Sequence, residues 1–127
     1  MRIISFAWTT PALLAGYKTV TRRDWTADYA GHFSKGDLVQ AYNRNPRWNG
    51  RRVATIRLIQ DPYLESTRRV APSDYIDEGF AYLESIGAKV DGLTPQALWE
   101  SWHVDPQNLW VVRFEVVGIA PGLREVT

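Results

Sequence analysis

The segment Gly16-Tyr17-Lys18-Thr19-Val20-Thr21-Arg22-Arg23-Asp24 sets one amine, two threonine hydroxyls and two guanidiniums within a few residues, directly after an apolar run. A threonine hydroxyl attacks a carbonyl only when a base takes its proton, and an amine whose pKa is lowered by desolvation or by a neighbouring cation can be that base. Lys18, beside Arg22 and Arg23, is placed for such a shift, and Thr21 is the hydroxyl it would serve. Strand geometry puts Thr19, Thr21 and Arg23 on one face and Val20 and Arg22 on the other. Lys18 lies at the cap before regular strand geometry begins and is free to turn toward the Thr21 face. The same residue types also fit a plainer role, with Lys18 a solvated residue favouring a helix C-terminus and Thr21 an ordinary β-branched strand residue.

A third member would be an acid that passes a proton to a leaving nitrogen. Asp77-Glu78-Gly79-Phe80 supplies one at the start of a helical stretch, where acids are favoured in any case by the helix dipole.

The elements that must position these groups are short. Ile3, Ile4 and Phe6 suit a buried first strand. Thr9-Thr10-Pro11 is a hydroxyl N-cap followed by a first-turn proline, so a short helix runs to Ala15 and stops at Gly16, a C-cap. Thr19 to Arg23 reads as a strand, Asp24 to Lys35 as a loop, and Leu38 to Tyr42 as a strand entered through Gly36-Asp37. Asn43 to Arg52 fits a hairpin tip and Val53 to Ile59 its return strand. Tyr63 to Ala71 is an aperiodic connection, and Pro72-Ser73-Asp74 starts a helix carrying Tyr75, Ile76, Phe80, Tyr82 and Leu83. Gly87 and Gly92 bracket a turn before a second hydroxyl-proline helix start at Thr94-Pro95, and Leu109 to Val117 is the strongest strand. Helices this short argue against a parallel βαβ sheet and for an α+β fold, a small, partly closed β-barrel with helices on its rim.

At 127 residues the chain is expected to form one domain, residues 1–127. Hydrophobic residues make up 45% and charged residues 23%, ordinary values for a folded chain. The first residues lack the features of a signal peptide and no run is long enough to span a membrane, so a cytoplasmic protein without a membrane partner is expected. There is no cysteine and only His32 and His103, which argues against metal or other cofactor chemistry. Twelve of the 15 basic residues are arginine, clustered at Arg22-Arg23, at Arg44, Arg47 and Arg51-Arg52, and at Arg68-Arg69. Arginine suits bidentate phosphate or carboxylate contacts and stacking on flat rings, although such clusters also occur as solvated loops balanced by acids. Interleaved with Trp48 and Tyr63, they admit single-stranded RNA as a partner. A net charge of +1 speaks against a large nucleic-acid footprint.

Gly16-Tyr17-Lys18-Thr19-Val20-Thr21-Arg22-Arg23, followed by Lys35-Gly36-Asp37, Glu78-Gly79-Phe80 and Trp110 to Val116, resembles an ASCH domain of the PUA-like β-barrel superfamily over nearly the whole chain. The family pattern Gly-x-Lys-x-x-Glu-x-Arg is matched in order by Gly16, Lys18 and Arg23. Thr21 stands where the pattern has glutamate, as in the branch that acts as N4-acetylcytidine amidohydrolase. That resemblance implies a catalytic triad of Lys18, Thr21 and Glu78, with Asp77 and Glu84 as the alternative acids. It also implies an acylated cytidine nucleoside as substrate, with backbone N–H groups near Gly16 or the Arg23 guanidinium facing the charge that builds on the acyl oxygen, and Phe6, Trp8, Trp25 and Trp48 as the candidates to stack on the base. The rivals it leaves are an RNA-binding ASCH module and, last, a ribonuclease.

Overall fold

The computed structural model describes residues 1–122. Six strands form one strongly curled sheet in the order β1 (Ile3–Ser5), β3 (Leu38–Tyr42), β4 (Arg52–Leu58), β6 (Asn108–Ile119), β2 (Val20–Arg23), with β5 (Tyr63–Ser66) also paired to β6. The fold is α+β, a half-barrel with several short helices, as composition and turn spacing predict. Every pairing is antiparallel except β1 with β3, which run parallel through Ile3–Gln40, Ile4–Ala41 and Ser5–Tyr42.

β6 is the axis of the sheet. Its first half pairs with β2 on one edge and β5 on the other, and its second half pairs with β4. β6 is covered on both faces: Val112 and Phe114 are buried in the core inside the curl, and Leu109 and Val111 are buried on the opposite face.

Helix α1 (Thr10–Leu14) lies between two cores. Leu13 packs with Ile4, Phe6, Phe33, Ile56, Leu58 and Phe114 inside the curl. Its neighbour Ala12 packs with Val70, Phe80, Leu83 and Trp102 beneath the helices outside it. Consecutive helical positions point about 100° apart, so a five-residue helix can serve both. Gly16 ends α1 at φ +86, the left-handed conformation expected of the cap. The residues immediately after it, and hence Lys18, emerge at the junction of the two cores.

Several local expectations need correction. The Thr9 hydroxyl does not cap α1; it donates to the Phe6 carbonyl, closing a 3₁₀ turn over Ala7–Thr9. The stretch Asp24 to Lys35 holds a helix, α2 (Ala27–Ala30), capped by Thr26. Tyr63 to Ala71 holds β5 and a 3₁₀ turn (Thr67–Arg69), and β5 lacks an apolar pattern because it lies on an edge of the sheet with none of its residues fully buried. The helix expected from Pro72 onward is two helices, α3 (Asp74–Asp77) and α4 (Phe80–Ser85), separated at Gly79. The last helix, α5 (Pro95–Val104), begins as predicted, with Thr94 Oγ1 accepting from the Ala97 N–H. No helix among the described residues is long and apolar enough to cross a membrane.

Candidate active site

Lys18 and Glu78, sixty residues apart, meet. Lys18 Nζ donates to Glu78 Oε1 and to the Glu78 carbonyl oxygen, each at 2.9 Å, and both side chains are almost wholly buried. The other carboxylate oxygen, Oε2, accepts from Arg22 Nη1 at 2.7 Å. Arg22 Nη2 reaches Asp74 Oδ2 at 2.5 Å and Glu65 Oε1 at 3.3 Å. Asp74, itself buried, takes a bidentate pair from Arg113 at 3.0 and 2.8 Å, and Arg113 Nε donates to the Tyr63 hydroxyl. The result is a continuous buried chain from Lys18 through Glu78, Arg22 and Asp74 to Arg113.

The chain is held by backbone geometry at Gly79. This residue has φ +87, and a Cβ there would lie 2.5 Å from Ala12 Cβ and 3.3 Å from Lys18 Cβ. Only glycine lets the α3–α4 corner approach α1 closely enough for Glu78 to meet Lys18. Thr19 N–H donating to the Asp77 carbonyl at 2.8 Å fixes the same corner to the start of β2.

Thr21 and Arg23 share a face, as alternation requires. Arg23 Nε donates to Thr21 Oγ1 at 3.1 Å and Arg23 Nη2 to the Ser5 carbonyl at 2.6 Å, with the guanidinium 5.4 Å from the centre of the Phe6 ring. The lysine hydrogen bonds go to the Glu78 carboxylate and carbonyl, and none goes to Thr21 among the described residues. Arg22 in turn lies 5.7 Å from the centre of a Trp102 ring, with its buried Nε unpartnered.

Burial dominates the electrostatics. It pulls the Lys18 ammonium below the usual lysine range, against the attraction of Glu78 and with the help of Arg23 and Arg22. Arg23 is lowered to about 10 by burial, which the more distant Glu78 only partly offsets. Arg22 resists the same burial because Glu78 and Asp74 raise it. Asp74 is desolvated too, yet Arg113 and Arg22 hold it below the normal carboxylate range. Arg23 is the cation in this cluster without a carboxylate within 4 Å among the described residues.

The alternative acids make no side-chain contact with Lys18 among the described residues. Asp77 engages through its backbone, and Glu84 accepts the Tyr75 hydroxyl, whose own pKa is pushed up to about 12, chiefly by burial. Of the four aromatics proposed to stack on a substrate, two are committed to the core. Phe6 packs edge-on against Phe114 under Arg23, and Trp25 stacks on Phe33 with 4.6 Å between centroids. Trp8 and Trp48 are free, exposed by 59% and 68%. Trp8 lines a cleft of about 370 Å³ with Ala7, Asn43 and Arg44. Asp74 and Arg113 were not foreseen, because a single acid after Pro72-Ser73 and a single arginine within β6 carry no spacing that would link them. Among the described residues, no group of three or more His, Asp or Glu side chains could hold a metal ion.

Fold and site together define a small α+β protein whose curled half-barrel sheet ends in a buried, branched ion-pair network beside a threonine and an uncompensated arginine. No family model matches the chain, and no curated protein matches it. Among solved structures it is similar to protein EF3133 from Enterococcus faecalis V583, described by the family model DUF984, with a TM-score of 0.59 and 16% identity. The match covers 94% of this chain and 77% of that one. At that identity the likeness bears on the fold alone.

Proposed function

We propose that the protein is an amidohydrolase that removes the acyl group from N4-acetylcytidine-type nucleosides, on a small barrel of the PUA-like kind, with Thr21 as nucleophile and the Lys18–Glu78 pair as its acid and base. The observation that carries this reading is the buried 2.9 Å contact between Lys18 Nζ and Glu78 Oε1 in the same cluster as Thr21 and Arg23. An ammonium with a carboxylate and an amine with a carboxylic acid contain the same number of protons. Moving one proton across the hydrogen bond turns the resting ion pair into a neutral base and a neutral acid, and desolvation favours that neutral form. Arg22 on Oε2 opposes it, so the neutral pair is the reactive minority and the ion pair the stored state.

In the reaction neutral Lys18, once its proton has passed to Glu78, swings from that carboxyl to Thr21 Oγ1 and takes its proton as Oγ1 forms a bond to the acyl carbon. The Arg23 hydrogen bond to Oγ1 leaves the hydroxyl proton free to be given away. The Arg23 guanidinium also faces the charge that builds on the acyl oxygen. Glu78, protonated, gives its proton to N4 as the amide C–N bond breaks, releasing cytidine. Water, deprotonated by the same pair, then hydrolyses the acyl-threonine to a carboxylate and restores the hydroxyl.

Thr21→Ala is expected to remove turnover of N4-acetylcytidine, measured as cytidine release, while leaving circular dichroism and thermal midpoint near wild type. Thr21→Ser should retain a measurable rate. Undiminished cytidine release by Thr21→Ala would overturn the assignment of the nucleophile.

A further inference from the structure

The charges that this fold leaves unpaired are sorted by sign. Residues 38–60 carry five arginines and no acid, whereas residues 70–112 carry seven acids and, of lysine and arginine, only Lys89. Of those acids Asp74 and Glu78 belong to the buried network. Asp77, Glu84, Asp91, Glu100 and Asp105 have no cation within 4 Å among the described residues, and all but the half-buried Asp77 are exposed. Arg44, Arg47, Arg51 and Arg52 are exposed and equally without a carboxylate, in contrast to Arg57 of β4, which pairs with Glu115 at 2.8 Å. The two sets stand apart on the sheet. The hairpin that carries the arginines leaves it where Ala54 pairs with Ile119, and the α3–α4 corner is tied to it at Thr19, whose carbonyl accepts from the Phe114 N–H. The net charge of +1 is thus the sum of two opposed surfaces that do not meet within one molecule.

Each surface also presents an apolar group. Asn45 caps the 3₁₀ turn Pro46–Trp48, Asn49 takes the left-handed conformation, and a Cβ on Gly50 would collide with the Arg44 backbone. This tight turn presents Trp48, 68% exposed, among the four arginines. On the helical side Tyr17, Ile76, Ala81, Tyr82 and Ser85 line a cleft of about 300 Å³. Tyr17 stacks on Tyr82 with 4.9 Å between centroids, and Ile76 is 58% exposed. Asp77 follows Ile76 and Glu84 precedes Ser85, so an acid adjoins the cleft on each of α3 and α4. Tryptophan, tyrosine and arginine are the residue types on which interface energy concentrates. An indole set among guanidiniums and an aromatic cleft flanked by carboxylates are complements in both polarity and charge. A basic peptide would answer the cleft and leave the hairpin unexplained, whereas a second copy of the chain answers both.

We propose that the chain associates head to tail with further copies of itself, the Trp48 hairpin of one copy seated in the Tyr17–Ile76 cleft of the next and its arginines on the acids of the α3–α4 corner. The two contacting surfaces differ, so the contact is heterologous and grows into a ring or a filament instead of closing as a two-fold dimer. It uses neither Thr21 nor the Lys18–Glu78 pair and stands apart from the amidohydrolase reading.

Sedimentation velocity of the full chain at about 50 mM salt reads the association. The mean mass is expected to rise with concentration past that of a dimer and to fall toward the monomer at about 1 M salt. Trp48→Ala removes the indole of the hairpin, and Ile76→Arg sets a like charge in the cleft. Each should weaken association at least about 30-fold, the loss of one dominant interface residue. Mixed in equal amounts, the two variants should form a one-to-one dimer and nothing larger, because Trp48→Ala keeps the cleft and Ile76→Arg keeps the hairpin. Arg57→Ala, outside the contact, should associate like wild type. Circular dichroism checks the fold of each variant, and Glu84→Lys takes the place of Ile76→Arg if the latter does not fold. The proposal is overturned if the wild-type chain stays monomeric up to about 1 mM, if its mass levels off at a dimer, if either variant associates like wild type, or if the folded variants stay monomeric when mixed.

Discussion

Glu78 is asked to compensate more than one cation, and that makes the Lys18–Glu78 pair asymmetric. Lys18→Met removes the ammonium but leaves Glu78 with Arg22 at 2.7 Å, so the carboxylate stays paired and the thioether fills the apolar space. The expected loss is about 1–2 kcal/mol. Glu78→Gln keeps one acceptor oxygen where the carboxylate has two, so an NH2 group must face Lys18 or Arg22 and Lys18 is left buried beside Arg22 and Arg23 without its counter-charge; the expected loss is about 3–5 kcal/mol. The double variant should be at least about 1 kcal/mol more stable than the sum of the single losses predicts, because the second substitution removes the charge the first one stranded. The pH dependence has a definite sign. Burial already holds folded Lys18 below its unfolded value of 10.5, so between the two values the unfolded chain binds more protons and stability rises with pH. Loss of Glu78 removes the causes that raise Lys18, which extends this window downward. The Glu78→Gln deficit should therefore shrink as pH rises toward 10.5, whereas the Lys18→Met deficit should not. Urea unfolding of the three variants at about pH 7 and about pH 9 reads both effects. Equal losses for the two single variants, or a Glu78→Gln deficit indifferent to pH, would refute the reasoning.

Two further outcomes follow from the same network. Gly79→Ala must hold a left-handed backbone and place a methyl 2.5 Å from Ala12 Cβ, so it should cost about 2–4 kcal/mol in urea unfolding, with partial recovery when Ala12→Gly removes the facing methyl. Asp74→Asn should cost about 3 kcal/mol at neutral pH. The folded Asp74 carboxylate lies below its unfolded value of 3.8, so its contribution is present above that pH and fades as pH falls through the folded value. The variant's thermal midpoint should accordingly fall less steeply than that of wild type on acidification.

Much of the frame was readable before the coordinates. The strand character of β3, β4 and β6, the hydroxyl-proline start of α5, the first-turn proline of α1 and the Gly16 cap are each set by a few adjacent residues. So is the sharing of a face by Thr21 and Arg23. What could not be read depends on contacts between distant segments. Edge strand β5 shows no buried run because sheet neighbours cover it incompletely. The split between α3 and α4 is invisible at Gly79 until Ala12 and Lys18 are placed against it. Glu78, Asp77 and Glu84 are equivalent as letters, and only the docking of α3 against β2 separates them. Lys18 and Arg22 converge on Glu78 for the same reason, whereas strand alternation alone left the lysine undirected.

The position of β6 has a consequence for the order of assembly. Among the described residues β2 and β5 each pair with β6 alone, and β6 is the last strand of the chain. During synthesis β1, β3 and β4 can pair as soon as they emerge, but Thr21 and Arg23 wait on a strand with no partner until residues 108–119 arrive. Pairings across about ninety residues of chain carry a large loop-closure cost, so they form late. The buried charges at Lys18 and Arg22 thus stay hydrated through most of folding and lose their water only when the final strand closes the sheet.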